Sequence, residues 1–187
     1  MGLTRGATLA RLAIDAGLDV VLSNSGAPQT LSDLVDELGP QARAATPAQA
    51  PAAGDWVVVT IPVGAIATVP REPLDGKTVI DTGNYHAPRD GTILELEAQE
   101  LTDSEMLQRH LPEAHAVKAF NNIHYPHLRA LPRPVDAADR TALPIAGNDQ
   151  DPAGRSRLCR RGPGGAGVGT TPGHERQRLR TMHDPAA

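Results

Sequence analysis

Aromatic side chains are nearly missing: Phe, Trp and Tyr together make up 2% of the 187 residues. The hydrophobic fraction is nonetheless 40%, so a core has to be assembled from Ala, Val, Leu and Ile, which suits helices laid on a sheet. Cysteine is reduced to Cys159. One thiol excludes an intramolecular disulfide and a cysteine zinc cluster, and makes a reducing, cytoplasmic setting the default expectation. Long apolar runs are absent as well. No stretch approaches the roughly 18 to 20 apolar residues of a membrane span, and none follows Met1 as an export signal would, so a chain neither membrane-bound nor exported is expected. A G-x-S-x-G nucleophile elbow does not occur. The seven histidines show no metal-site spacing: His124 and His127 are three apart, but Pro126 between them is expected to break the helix that would align them. Cys159 stands among Arg157, Arg160 and Arg161 without a His-Asn/Asp pattern nearby. These patterns single out no catalytic residue and no metal ligand.

Charge is distributed unevenly. Residues 1–150 hold 11 Lys+Arg against 19 Asp+Glu, whereas 151–187 hold 7 Arg against 3 acids, within an overall charge of −4. An acidic body argues against wrapping nucleic acid. The tail carries seven Gly and four Pro, no aromatic residue and no apolar period. It is expected to be disordered, and the chain divides into a body over 1–148 and a basic tail over 149–187.

Within the body the periodicities alternate. Leu9, Leu12, Ala13 and Ala16 share one face of a helix over 7–16, with Gly17 as its C′ residue. A strand over 18–22 follows and ends in the polar turn Ser23, Asn24, Ser25. Leu31, Leu34, Val35 and Leu38 mark a second helix closed by Gly39 and Pro40. Residues 42–45 form a weak strand candidate and 47–53 a short Ala-rich helix. The run Trp56-Val57-Val58-Val59-Thr60-Ile61 reads as a strand buried on both faces, stopped by Pro62. Residues 78–81 give another apolar strand, a Pro- and Gly-rich loop follows, and Thr102-Asp103-Ser104-Glu105 fits a capping box ahead of a helix to Leu111. Residues 116–120 form the next strand. Residues 143–146 fit an edge strand, because Pro144 is unwelcome in a central one. Strands alternating with helices at this spacing predict an α/β fold with a parallel sheet.

Four strand ends are polar in the same sense: Ser23, Asn24 and Ser25; Thr60, Ile61 and Pro62; Asp81 to Asn84; and Asn121 with Asn122. In one parallel sheet they converge on a single edge and line a crevice, which is where open α/β sheets place ligands. Each end alone is most often a simple turn. Ala119 and Asn121 mark the far end of this crevice.

The segments 9–25, 57–62, 79–85 and 117–122, in that order, resemble the NADP oxidoreductases related to coenzyme F420-dependent NADP reductase, and the likeness runs from about Gly6 to Asn148. The resemblance implies a Rossmann domain, a doubly wound and mostly parallel sheet in the order 3-2-1-4-5-6. It also implies NADP(H) across the strand ends and hydride transfer between nicotinamide and a deazaflavin (F420) or related small-molecule acceptor. Ser23, Asn24 and Ser25 stand where an NAD-specific strand would end in a carboxylate, so a 2′-phosphate is tolerated there and NADP is favoured. The Arg that family members carry after that Ser is replaced by Gly26. The resemblance aligns Gly6 with the third glycine of G-x-G-x-x-G, which puts Leu3 and Met1 at the other two and leaves no residues for the family's first strand. Two strands are then expected to lose a neighbour. The tail also departs from the family. It reads either as the product of a shifted reading frame in a GC-rich gene or as an arm for RNA or an acidic partner. Two functions follow as expectations: an NADP-dependent oxidoreductase, or a Rossmann remnant without catalysis that acts through protein association, including homo-oligomers.

Overall fold

The computed structural model describes residues 4–134 and 136–147. Residues 1–3, with the first two glycine positions of the turn, and the basic tail with Cys159 lie outside them.

Helix α1 (Arg5–Asp15) starts at Thr4, whose hydroxyl accepts from the Ala7 amide, and stops in a left-handed Gly17 at φ +83°. The Gly17 amide donates to Ile14 O and the Leu18 amide to Ala13 O, the paired closure that a glycine C′ makes possible. Strand β1 (Val20–Leu22) follows, and after a 3-10 turn over Pro28–Leu31 comes α2 (Ser32–Leu38). Strand β2 (Ala42–Ala44) pairs parallel with β1. The stretch expected as a short helix over 47–53 is instead a turn leading into a 3-10 helix, Pro51–Ala53. Lys77 donates its ammonium to the carbonyls of Pro51 and Gly54 at 2.6 and 2.7 Å, satisfying the end of that element.

Strand β3 (Trp56–Val59) pairs parallel with β4 (Thr78–Asp81), with a 3-10 helix over Val63–Thr68 between them. The loop expected after β4 contains two single-turn helices, α3 (Ala87–Asp90) and α4 (Leu94–Glu97). Helix α5 (Asp103–His110) opens with the full capping box: the Thr102 hydroxyl accepts from the Glu105 amide, and the Glu105 carboxylate accepts from the Thr102 amide. Strand β5 (His115–Lys118) lies parallel to β4. Helix α6 (Tyr125–Leu128) carries Pro126 in its first turn. The expectation that Pro126 breaks a helix is therefore corrected: in the first turn its missing N–H is not needed, and it opens the helix. Strand β6 is only Ala146–Gly147, antiparallel to β5, so Pro144 falls outside it.

Among the described residues the strands form two sheets, β1-β2 and β3-β4-β5-β6. As expected, the two strands lack a neighbour on one side: among the described residues β1 pairs only with β2, and β3 only with β4. The fold is α/β with parallel sheets, Rossmann-like in strand order. Each sheet has its own core. Val59, Val63, Ile66, Leu74, Val79, Leu96, Leu107 and Leu111 are buried together beneath the larger sheet, and Ala10, Leu38 and Ala42 beneath the smaller.

Two burial expectations are corrected. Strand β3 is not covered on both faces: Trp56 is 40% exposed and only Val59 is buried. It forms the edge of its sheet, so one flank has no neighbouring strand to exclude water. The strand that is buried throughout its last three residues is β4, which lies between β3 and β5. On α1 the buried positions are Ala7, Thr8 and Ala10 rather than the Leu9 and Leu12 face. Small residues let the helix sit close to its neighbours, and Leu9 and Leu12 are half-buried.

Candidate functional site

The carboxyl ends of β3, β4 and β5 lie side by side, since the register pairs Val59 with Asp81 and Asp81 with Lys118. Past these ends the chain is tied across the strands. The Thr82 amide and hydroxyl both donate to Val59 O at 3.1 Å, and the Ala119 amide donates to Asp81 O at 3.0 Å. Asn84 and Asn121 bond reciprocally: Asn84 donates to Asn121 O at 2.8 Å, and the Asn121 amide nitrogen lies 3.3 Å from Asn84 Oδ1. Phe120 makes this meeting possible by taking φ +60°. A bulky residue enters the left-handed region at an energetic cost, and the Asn pair and the Ala119 bond offset it.

Beneath this rim lies a buried ionic group that the sequence patterns did not disclose. Lys118, 4% exposed, donates to Asp81 Oδ2 at 3.0 Å, to Asp103 Oδ1 at 2.9 Å and to Gly83 O at 2.5 Å. Asp81 also accepts from the Ser104 hydroxyl at 2.7 Å and, through its other oxygen, from the Gly83 amide at 2.7 Å. All three ammonium protons and both Asp81 oxygens are used, which is the condition for burying such a group. The network fastens β4, β5 and the start of α5 to the loop at 82–84. Its members stand 37 and 15 positions apart, so no local pattern could have found it.

Helix α1 points its first turn at the same edge. An ideal Cβ on Gly6 would stand 2.8 Å from Thr60 Oγ1, so glycine lets the helix start press against the end of β3 without turning the Thr60 hydroxyl away. Thr60 and Pro62 are exposed and Ile61 half-buried; all three lie beyond the strand, which ends at Val59, and Pro62 caps the 3-10 helix that follows. Arg5, in the same first turn, donates to Thr82 O at 2.6 Å.

The structure thus brings Gly6, Thr60, Asn84, Ala119 and Asn121 to one edge. The turn at 23–25 stands at the end of the other sheet, and its bonds close on itself: Asn24 Oδ1 accepts from the Gly26 amide at 2.9 Å and Asn24 Nδ2 donates to Thr30 at 3.0 Å. Asn24 therefore builds the turn, while Ser23 and Ser25 are exposed. No carboxylate stands within 23–25.

Arg89 and Asp90 flank the rim. Asp90 is gripped by Arg89 through two bonds of 2.9 and 2.8 Å and by the His86 amide at 2.8 Å. The Arg89 fork, aided by the His86 and Gly64 amides, holds the Asp90 carboxyl down at about 2, below its ordinary 3.8. A carboxyl depressed in the folded state contributes stability that is present above the unfolded value and lost as pH falls through the folded one. Stability is expected to decline between pH 4 and 2 partly through this group. Urea midpoints at pH 5, 3 and 2 should fall less steeply for Asp90→Asn than for the native chain.

The imidazoles of His124 and His127 meet edge-on with centroids 5.6 Å apart, yet among the described residues no three His, Cys, Asp or Glu are grouped to hold a metal. Nor is any helix there long and apolar enough to cross a membrane.

Comparison with known proteins places this geometry. Residues 3–85 match the family described as NADP oxidoreductase, coenzyme F420-dependent. The chain resembles that family. Among solved structures, a hypothetical protein from Sinorhizobium meliloti superposes with a TM-score of 0.65 at 25% identity, over 80% of this chain and 72% of the other. A proposed F420-dependent NADP-reductase from Arthrobacter sp. FB24 superposes with a TM-score of 0.66 at 24% identity, over 84% and 74%, which is evidence for the shared fold. No match was found among curated proteins. The family match covers α1 through β4, and over that stretch the chain is similar to NADP oxidoreductases of Rossmann-like fold.

Proposed function

We propose that the chain binds NADP(H) across the ends of its parallel strands and serves hydride exchange between nicotinamide and a deazaflavin of the F420 type or a related acceptor. The observation that carries this reading is the docking of the α1 start on Thr60 through Gly6, beside the joined ends of β4 and β5. Ser23 and Ser25, with the turn shaped by Asn24, would receive the adenosine 2′-phosphate. Thr60, Ile61 and Pro62 would lie along the ribose and nicotinamide, and Asn84, Ala119 and Asn121 would close the far end. The hydride chemistry belongs to the cofactor, and the chain's part is to bind and orient two rings, for which no acid–base pair is required. Titration of the purified protein with NADPH, followed by nucleotide fluorescence, should saturate, and NADH should bind more weakly. Absence of saturable binding at millimolar NADPH removes the assignment.

A further inference from the structure

Away from the strand-end rim lies a cavity of about 240 Å³ that the crevice does not use. Its walls come from separate parts of the chain: Leu12 from α1, Phe120 from the turn after β5, Leu128 from α6, and Leu143, with Arg133 and Arg140 beside them. Leu12 and Gly6 both belong to α1, and their spacing puts Leu12 about 9 Å along the helix axis from the start that meets Thr60. The cavity is therefore set apart from that contact. Phe120 joins the two regions. It stands between the rim residues Ala119 and Asn121, has the left-handed φ of +60°, and contributes to the cavity wall.

The lining is divided in character. Leu128 is buried and Leu12, Phe120 and Leu143 are half-buried, whereas Arg133 and Arg140 are exposed, so the apolar part is the interior and the guanidinium groups stand at the mouth. No carboxylate is among the lining residues. Arg133 gives Nε to Asp139 at 3.2 Å and one terminal nitrogen to the carbonyls of Ala130 and Pro132 at 2.8 and 2.9 Å. Those bonds fix its fork and use only one of the two terminal nitrogens. An apolar wall gives water too few partners, and a cationic mouth selects a negative head group. The segment 151–187, with 7 Arg against 3 acids, is repelled by such a mouth, so charge favours an anion from outside the chain.

We propose that this cavity binds a small amphipathic anion, a carboxylate on an apolar chain, with the chain among Leu12, Phe120, Leu128 and Leu143 and the head at Arg133 and Arg140. An apolar cavity of about 150 Å³ holds benzene, so the larger space here accommodates about ten non-hydrogen atoms. Octanoate is a probe of that size.

Calorimetric titration of the full chain with octanoate, octanol and octylamine tests this. Octanoate should saturate one site, octanol should bind about fivefold or more weakly, and octylamine should not bind. The advantage of octanoate should shrink as salt rises. Leu143→Trp should fill the space and abolish binding, and Arg140→Gln should bring octanoate down towards octanol. Arg109→Gln, an exposed cation paired with Glu95 and not part of the lining, should change nothing. Circular dichroism separates lost binding from lost folding, and Arg140→Gln at an exposed position keeps the test open should Leu143→Trp fail to fold. Octanoate binding in a chain that ignores NADPH sustains this site and removes the nucleotide reading. Displacement of octanoate by NADPH assigns the cavity to the crevice and overturns it as a separate site. No saturable octanoate binding, equal binding of octanol, or binding undiminished by a folded Leu143→Trp overturns the proposal and leaves the NADPH titration to stand by itself.

Discussion

Replacing Lys118 by methionine is expected to lower the free energy of unfolding by about 3–5 kcal/mol, the cost of leaving a buried ion pair half-made. The substitution strands Asp81, 5% exposed, without its cation, and leaves Asp103 Oδ1 with only the Ser104 amide and Gly83 O without its donor. Methionine fills a similar volume, so the loss reports charge and hydrogen bonding more than a cavity. Urea unfolding of native and variant chains measures it. Adding Asp81→Asn to the variant should recover part of the loss, because the buried charge is removed while a donor-acceptor pair to Gly83 and Ser104 is kept; the double-mutant cycle then gives a favourable coupling. A cost under about 1 kcal/mol for Lys118→Met, or additivity in the cycle, would show that the group does not act as one network.

Leu107→Ala should cost about 2–5 kcal/mol. Its side chain, on α5, is fully buried in one cluster with Leu74, Val79 and Leu111. Denaturant midpoints give the value. Leu94→Ala supplies the contrast: that leucine is 77% exposed and should change stability by no more than about 0.5 kcal/mol. If the two substitutions cost the same, α5 is not the helix that seals the larger sheet.

The elements that were legible in the sequence are those set by near neighbours. The capping box needs only Thr102 and Glu105, three positions apart, and its geometry follows from the first turn of any helix. Gly17 ends α1 because a left-handed residue is required there and glycine supplies it without penalty. The alternation of strand and helix, and with it the parallel α/β class and the polar strand ends, follows from side-chain period over a handful of residues. The candidate crevice at Thr60, Asn84, Ala119 and Asn121 was therefore within reach.

What tertiary structure alone decided depends on partners far along the chain. The uninterrupted apolar run at Trp56 looked like the most buried strand, yet burial is set by what lies on either flank, and β3 sits at a sheet edge while the shorter run at Thr78 lies in the middle. Whether Lys118 is a surface charge or a buried tie cannot be read from Val117-Lys118-Ala119, because its acids, Asp81 and Asp103, are brought to it by sheet register and by the start of α5. Arg5 and Arg89 both tie down the loop after β4 for the same reason: Thr82 and Asn84 offer their carbonyls there, and only the docking of α1 and α3 brings the two guanidinium groups to them.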